Sequence, residues 1–139
     1  RPRGLAAAPG RATLEARRDW GYAPDFTVAM HAMLQTQEPH DLVIATGASH
    51  SVREFCETAF SIAGLDWRRH VTVDPALFRP AEVESLVGDA SRAAKLLGWR
   101  PTLTFEELVH EMVEADLQSL SATLGIRTGQ VARLLPAQP

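Results

Sequence analysis

Leu42-Val43-Ile44-Ala45-Thr46 is a short apolar run closed by Gly47. Its length and its branched residues predict a buried strand, of the kind that continuous apolar runs form in a parallel sheet. Helical patterns lie on both sides. Upstream, Asp25 to Gln35 places Phe26, Ala29, Met30, Met33 and Leu34 on one face at i, i+3, i+4, i+7 and i+8. Pro24 suits the first turn of that helix, and Pro39 with His40 breaks the chain after it. Downstream, Ser51-Val52-Arg53-Glu54 reads as a capping box, in which the Ser hydroxyl and the Glu carboxylate each accept from the other residue's amide. The helix it opens carries Val52, Phe55, Ala59 and Ile62 and ends at Gly64.

Further along, residues 70–73 read as a second strand and 74–87 as a Pro-punctuated connection. Asp89 or Ser91 caps a short helix through Leu97, stopped by Gly98 and Pro101. Thr104-Phe105-Glu106-Glu107 is a second capping box, and its helix runs through Leu108, Met112 and Ala115 to about Leu120. Residues 1–12 read as a loose arm and 121–139 as a mobile tail. There is no internal repeat.

The 139 residues suffice for one domain or part of a larger one. The net charge is −3, and no Lys/Arg cluster marks a nucleic-acid footprint. No apolar run is long enough to span a bilayer, and the Ala/Pro/Gly/Arg-rich start lacks the apolar stretch of a signal peptide. The single cysteine, Cys56, excludes an internal disulfide and suits a reducing cytoplasm.

The candidate chemistry is basic. In Phe78-Arg79-Pro80-Ala81-Glu82-Val83, an arginine and a carboxylate stand three residues apart on a backbone stiffened by proline. A guanidinium can grip a diphosphate through paired donors, and a carboxylate can accept from the vicinal hydroxyls of a ribose. The plain alternative is a surface ion pair in a loop. A second arginine site lies in Arg17-Arg18-Asp19-Trp20-Gly21-Tyr22. There the plain reading is solvated charge beside a half-buried Trp20. The other is an arginine turned inward to a phosphate and oriented by Asp19.

The remaining groups point to no chemistry. The five histidines, His31, His40, His50, His70 and His110, show no metal-ligand spacing and read as structural or surface groups. Cys56 lies within a predicted helix and reads as a buried, inert thiol. Gly47 and Gly64 make no G-x-G-x-x-G loop.

Taken in order, these motifs resemble the C-terminal part of the GDP-mannose 4,6-dehydratase family, extended short-chain dehydrogenases/reductases that act on nucleotide sugars. The resemblance rests on Arg17-Arg18-Asp19-Trp20-Gly21-Tyr22-Ala23, Ile44-Ala45-Thr46-Gly47 and His50-Ser51-Val52-Arg53-Glu54-Phe55. It continues through Phe78-Arg79-Pro80-Ala81-Glu82-Val83, Leu86-Val87-Gly88-Asp89 and Leu97-Gly98-Trp99-Arg100-Pro101. It covers about residues 13–118.

The resemblance implies an α/β fold, the substrate-binding part of a Rossmann-type dehydratase with the dinucleotide-binding half missing. Nucleotide-sugar binding would fall to residues 13–120. It implies that Arg18 and Arg79 hold the diphosphate of GDP-mannose or GDP, that Glu82 accepts from the ribose or guanine side, and that Arg17 assists. It implies NADP in the complete enzyme but none on this chain alone. A homo-oligomer, or association through an exposed sheet edge, is a further expectation. The alternative is a free-standing, non-catalytic nucleotide-binding or interaction module.

The family's Gly-rich loop, its catalytic Thr and Glu, and its Tyr-x-x-x-Lys pair have no counterparts. Tyr22 is the single tyrosine, Phe26 stands four residues later, and Lys95 is the single lysine. Acid–base chemistry needs a group within hydrogen-bond reach of the reacting proton. The purified chain is therefore expected to leave GDP-mannose unchanged and not to bind NADP. Turnover by material free of host enzyme would contradict this.

Overall fold

The computed structural model describes residues 14–73 and 85–125 with their side chains, and residues 8–9 and 74 by backbone. In chain order the elements are β1 (Ala8–Pro9), β2 (Arg17–Arg18), α1 (Ala23–Leu34), β3 (His50–Ser51) and α2 (Val52–Ile62). A 3₁₀ turn (Trp67–Arg69), β4 (Val73–Asp74), α3 (Ser91–Leu97) and α4 (Phe105–Leu124) follow. The strands form two short ribbons. β1 lies parallel to β4, with Ala8 opposite Val73 and Pro9 opposite Asp74. β2 lies antiparallel to β3, with Arg17 opposite Ser51 and Arg18 opposite His50.

Both predicted capping boxes form. Ser51 and Thr104 accept from the amides of Glu54 and Glu107, and each carboxylate accepts in return from the cap residue's amide. The ends are equally local. Gly64, Gly98 and Gly125 all take positive φ where α2, α3 and α4 stop. The start of α3 differs in detail: Ala90 is the cap, while the Asp89 carboxylate accepts from the Ser91 amide.

Four expectations are corrected. Residues 42–46 form no regular element and belong to no sheet among the described residues. Alternation secures burial without supplying a ladder. Leu42 and Ile44 pack on the core around Trp99, Ala45 is buried, and Val43 is 54% exposed. The second strand starts later than predicted, because Trp67–Arg69 turns as a 3₁₀ helix and His70 caps it. The face of α1 is narrower than its periodicity suggests. Ala29 is buried, but Met30 and Leu34 stand 61% and 81% exposed, since no described element covers that flank. Finally, the expected arm and tail both lose residues to structure. Ala8–Pro9 pairs in β1, and α4 continues to Leu124, past the predicted end near Leu120. Residues 126–139 lie outside those described.

The core has two parts. In one, Ala29 of α1, Ala93 of α3 and Trp99 pack together, with Leu42, Ile44, Ala90 and Leu97 against them. In the other, α2 meets α4. Here Phe105, Leu108 and Val109 are buried. Phe55 stacks on Trp20 at 4.9 Å and meets Phe105 edge-on at 6.3 Å, while His50 stacks on Phe105 at 3.9 Å.

A buried carboxylate bolts the first part together. Asp25 accepts from the Thr102 amide and hydroxyl, both at 2.8 Å, and its own carbonyl accepts from Trp99 Nε1 at 2.9 Å. Asp25→Ala removes both Thr102 bonds. Thr102 is exposed and water can replace the acceptor, so the expected cost is the net worth of ordinary hydrogen bonds, about 0.5–1.5 kcal/mol each. Urea unfolding is expected to report a loss in this range. A variant as stable as the parent would show that the bolt contributes nothing.

Candidate functional site

The site is built around β2. The β2–β3 ladder extends beyond its ends through a bond from the Val52 amide to the Ala16 carbonyl, 3.2 Å. On the other edge, the Leu86 amide donates to the Arg17 carbonyl at 3.1 Å, and Ser85 bridges Arg17 in parallel. Arg17 and Arg18 thus lie between the 50–51 and 85–86 segments. Arg79 and Glu82 themselves lie outside the described residues.

The two arginines differ. Arg17 Nη2 donates to the Ser49 carbonyl at 2.5 Å, and Nη1 lies 3.4 Å from the Glu54 carboxylate. Arg17 therefore braces the β3–α2 corner through the same carboxylate that completes the capping box. The pair is roughly half exposed, so its direct worth is about 0–1 kcal/mol. Arg18 is half-buried, and its Nη1 donates to the Arg17 carbonyl at 2.7 Å.

Asp19 does not take the role of an arginine's orienting group. Its Oδ1 accepts from the Thr46 amide at 2.8 Å and the Thr46 hydroxyl at 2.6 Å. Its Oδ2 accepts from the amides of Gly47 at 3.0 Å and Gly88 at 3.1 Å. Burial pushes this carboxyl's pKa up, but the hydrogen bonds from Thr46, Gly88 and Gly47 outweigh it and the net direction is down. Trp20, half-buried as expected, donates from Nε1 to the His50 carbonyl at 3.1 Å.

The sequence does not reveal this carboxylate–loop grip: Thr46-Gly47 and Gly88 belong to separate motifs, and nothing in a linear sequence pairs residues 19 and 88.

An open depression of about 420 Å³ lies beyond the grip, lined by Thr46, Gly47, Gly88, Asp89, Trp99 and Arg100 among others. Neither Arg17 nor Arg18 lines it, so it is not where the arginines point. Cys56 is half-buried rather than buried. Burial first, then Glu57, pushes its thiol pKa up against the opposing pull of Arg53, which keeps it protonated near neutral pH. Among the described residues no His/Cys/Asp/Glu group could hold a metal ion, and no helix is long and apolar enough to cross a membrane.

The fold is shared with solved nucleotide-sugar enzymes of the Rossmann type. UDP-glucose 4-epimerase from Thermotoga maritima, solved with UDP-glucose, superposes with a TM-score of 0.71 at 24% identity, over 82% of this chain and 35% of that one. The chain has the α/β fold of an extended short-chain dehydrogenase/reductase portion. It belongs to the GDP-mannose 4,6 dehydratase family, whose sequence model matches residues 4–112. GDP-mannose 4,6 dehydratase 1 of Arabidopsis thaliana is 50% identical over 105 residues, covering 76% of this chain and 29% of that protein. The human GDP-mannose 4,6 dehydratase is 46% identical over 122 residues, covering 76% and 33%. The chain thus spans about a third of the length of the relatives it matches.

Several carboxylates carry lowered pKa values. For Asp19, burial opposes the shift and the Thr46 hydroxyl leads it. For Glu54 and Glu107, the amides of Ser51 and Thr104 dominate. A depressed folded-state pKa adds stability that is present above the unfolded value and lost as pH falls through the folded one. Resistance to urea is therefore expected to hold steady above about pH 5 and to decline as the pH falls below about 4. The decline is expected to be shallower in Glu54→Gln. Stability that rises on acidification would contradict these assignments.

Proposed function

We propose that this chain supplies the nucleotide-sugar grip of a GDP-mannose 4,6-dehydratase, with the binding part formed by residues 13–120. Arg18 and Arg79 hold the diphosphate of GDP-mannose, and Glu82 accepts from the ribose or the guanine side. Arg17, engaged with Ser49 and Glu54, supports the strand that carries Arg18 more than it touches ligand. The observation that carries this reading is the pairing of Arg17 with Ser85 and Leu86. It sets the strand that carries Arg18 beside the segment that begins at Ser85, three residues after Glu82 in the chain.

The described residues do not fit an NADP site. A dinucleotide cradle needs glycine amides free to face phosphate. Here the Gly47 amide donates to Asp19, Gly64 and Gly98 follow helix ends, and Phe26 fills the space beside Gly21. No chemical step is therefore assigned to this chain. The lyase activity and the NADP of the complete family enzyme belong, in this reading, to the part of the relatives that this chain does not span. Its place is the cytoplasm, in keeping with a single, protonated cysteine. The exposed apolar side chains Val28, Met30, Leu34 and Val43 are the surface through which it would associate with another subunit or domain.

Calorimetric titration with GDP tests the reading. Removing a charged donor costs about 1.5–3 kcal/mol, or roughly ten- to a hundredfold in affinity. Arg18→Ala and Arg79→Ala are each expected to lose that much, with Arg17→Ala losing less. Undiminished binding by either of the first two would remove that residue from the site.

A further inference from the structure

We propose that His50 is a phosphate-binding group of the nucleotide site, working as an imidazolium beside Arg18. This role rests on the nucleotide reading above, in which Arg18 holds the diphosphate, and it couples that binding to a proton.

The register of the β2–β3 ribbon sets the geometry. Arg18 lies directly opposite His50. Side chains directly opposite in an antiparallel pair leave the same face, with Cβ atoms about 5 Å apart. Both residues are half-buried, so neither is sealed from solvent. The residues that flank Arg18 are engaged elsewhere. Arg17 holds Ser49 and Glu54, and Asp19 holds Thr46, Gly47 and Gly88. His50 is thus the group able to gain a positive charge that the ribbon sets next to Arg18.

The ring is held in place without a ligand. The imidazole stacks on Phe105 at 3.9 Å with 2° between the planes, and the Trp20 indole donates to the His50 carbonyl at 3.1 Å. The face of a phenyl ring attracts a cation, so the same stack suits the charged imidazole. Stacking alone does not define the role. His70 also stacks on a ring, Phe60 at 5.6 Å, but it lies outside the ribbon that carries Arg18.

The charges around His50 pull in both directions. On β2, Arg18 and Arg17 oppose a proton on the ring. On α2, Glu54 favours one. Its own carboxyl is held low first by the Ser51 amide, against burial, with Arg17 and His50 adding smaller pulls. On α4, Phe105 carries no charge. A bound diphosphate adds negative charge on the favouring side and so draws a proton onto the ring as it binds. Imidazole suits this task because its charge changes between about pH 5 and pH 8.

GDP-mannose is the probe, because both of its phosphates are esterified and its diphosphate keeps one charge state across that range. By calorimetry in two buffers of different ionisation enthalpy, the full chain is expected to take up protons on binding at about pH 7. Its affinity is expected to rise roughly tenfold from about pH 8 to about pH 5.5. His50→Phe keeps a ring on Phe105 but cannot be charged, and it is expected to lose both the proton uptake and the pH dependence. His50→Gln, which gives up the ring as well, is expected to behave alike. His70→Phe is expected to keep both.

Binding by the wild-type chain without proton uptake would overturn the proposal. Uptake that survives in His50→Phe or His50→Gln would overturn it as well, since another group would then carry the proton. Equal loss in His70→Phe would place the proton away from Arg18, with the same consequence. A wild-type chain that binds no GDP-mannose at any pH in the range would overturn the nucleotide reading itself.

Discussion

The carboxylate of Asp19 is the point at which three remote pieces of this chain meet. It accepts from residues 46, 47 and 88, and its neighbour Arg17 pairs with residues 51 and 85. The ribbons involved are only two residues long, and such short ladders have little stability of their own. A fixed charge with four donors compensates for that. It is more directional than apolar packing and it resists acid, because the donors hold its pKa low despite burial.

The rest of the fold serves to present this junction. The α2–α4 pair, filled by Phe55, Phe105 and Val109, supports β3 through His50 and Trp20. The α1–α3 part is bolted by Asp25 to Thr102 and Trp99, which places Gly88 and the start of α3 beside the 45–47 turn. The apolar residues left outside, Met30, Leu34 and Val43, are exposed and take part in no described core.

Local structure is legible in this sequence, and long-range pairing is not. Ser51/Glu54 and Thr104/Glu107 form their boxes because all the partners lie within one helical turn. Gly64 and Gly98 stop their helices for equally local reasons. The 42–46 run looked like a sheet strand because burial and ladder pairing leave the same apolar pattern, and only the fold tells them apart. Met30 and Leu34 fit a helical stripe, but periodicity does not say how wide a neighbour will be. The local Arg18-Asp19 pairing in sequence suggests a companion role for Asp19. Its real partners are 27 to 69 residues away.

The central claim is that the Arg18 strand and the Arg79–Glu82 loop form one nucleotide site. Backbone NMR of the labelled chain during titration with GDP tests it most directly. The account predicts shift changes that start at Arg18 and continue through residues 79–86, saturating together with one dissociation constant. Shift changes confined to the depression beside Ser91 and Arg100, with Arg18 and the 79–86 segment silent, would contradict it.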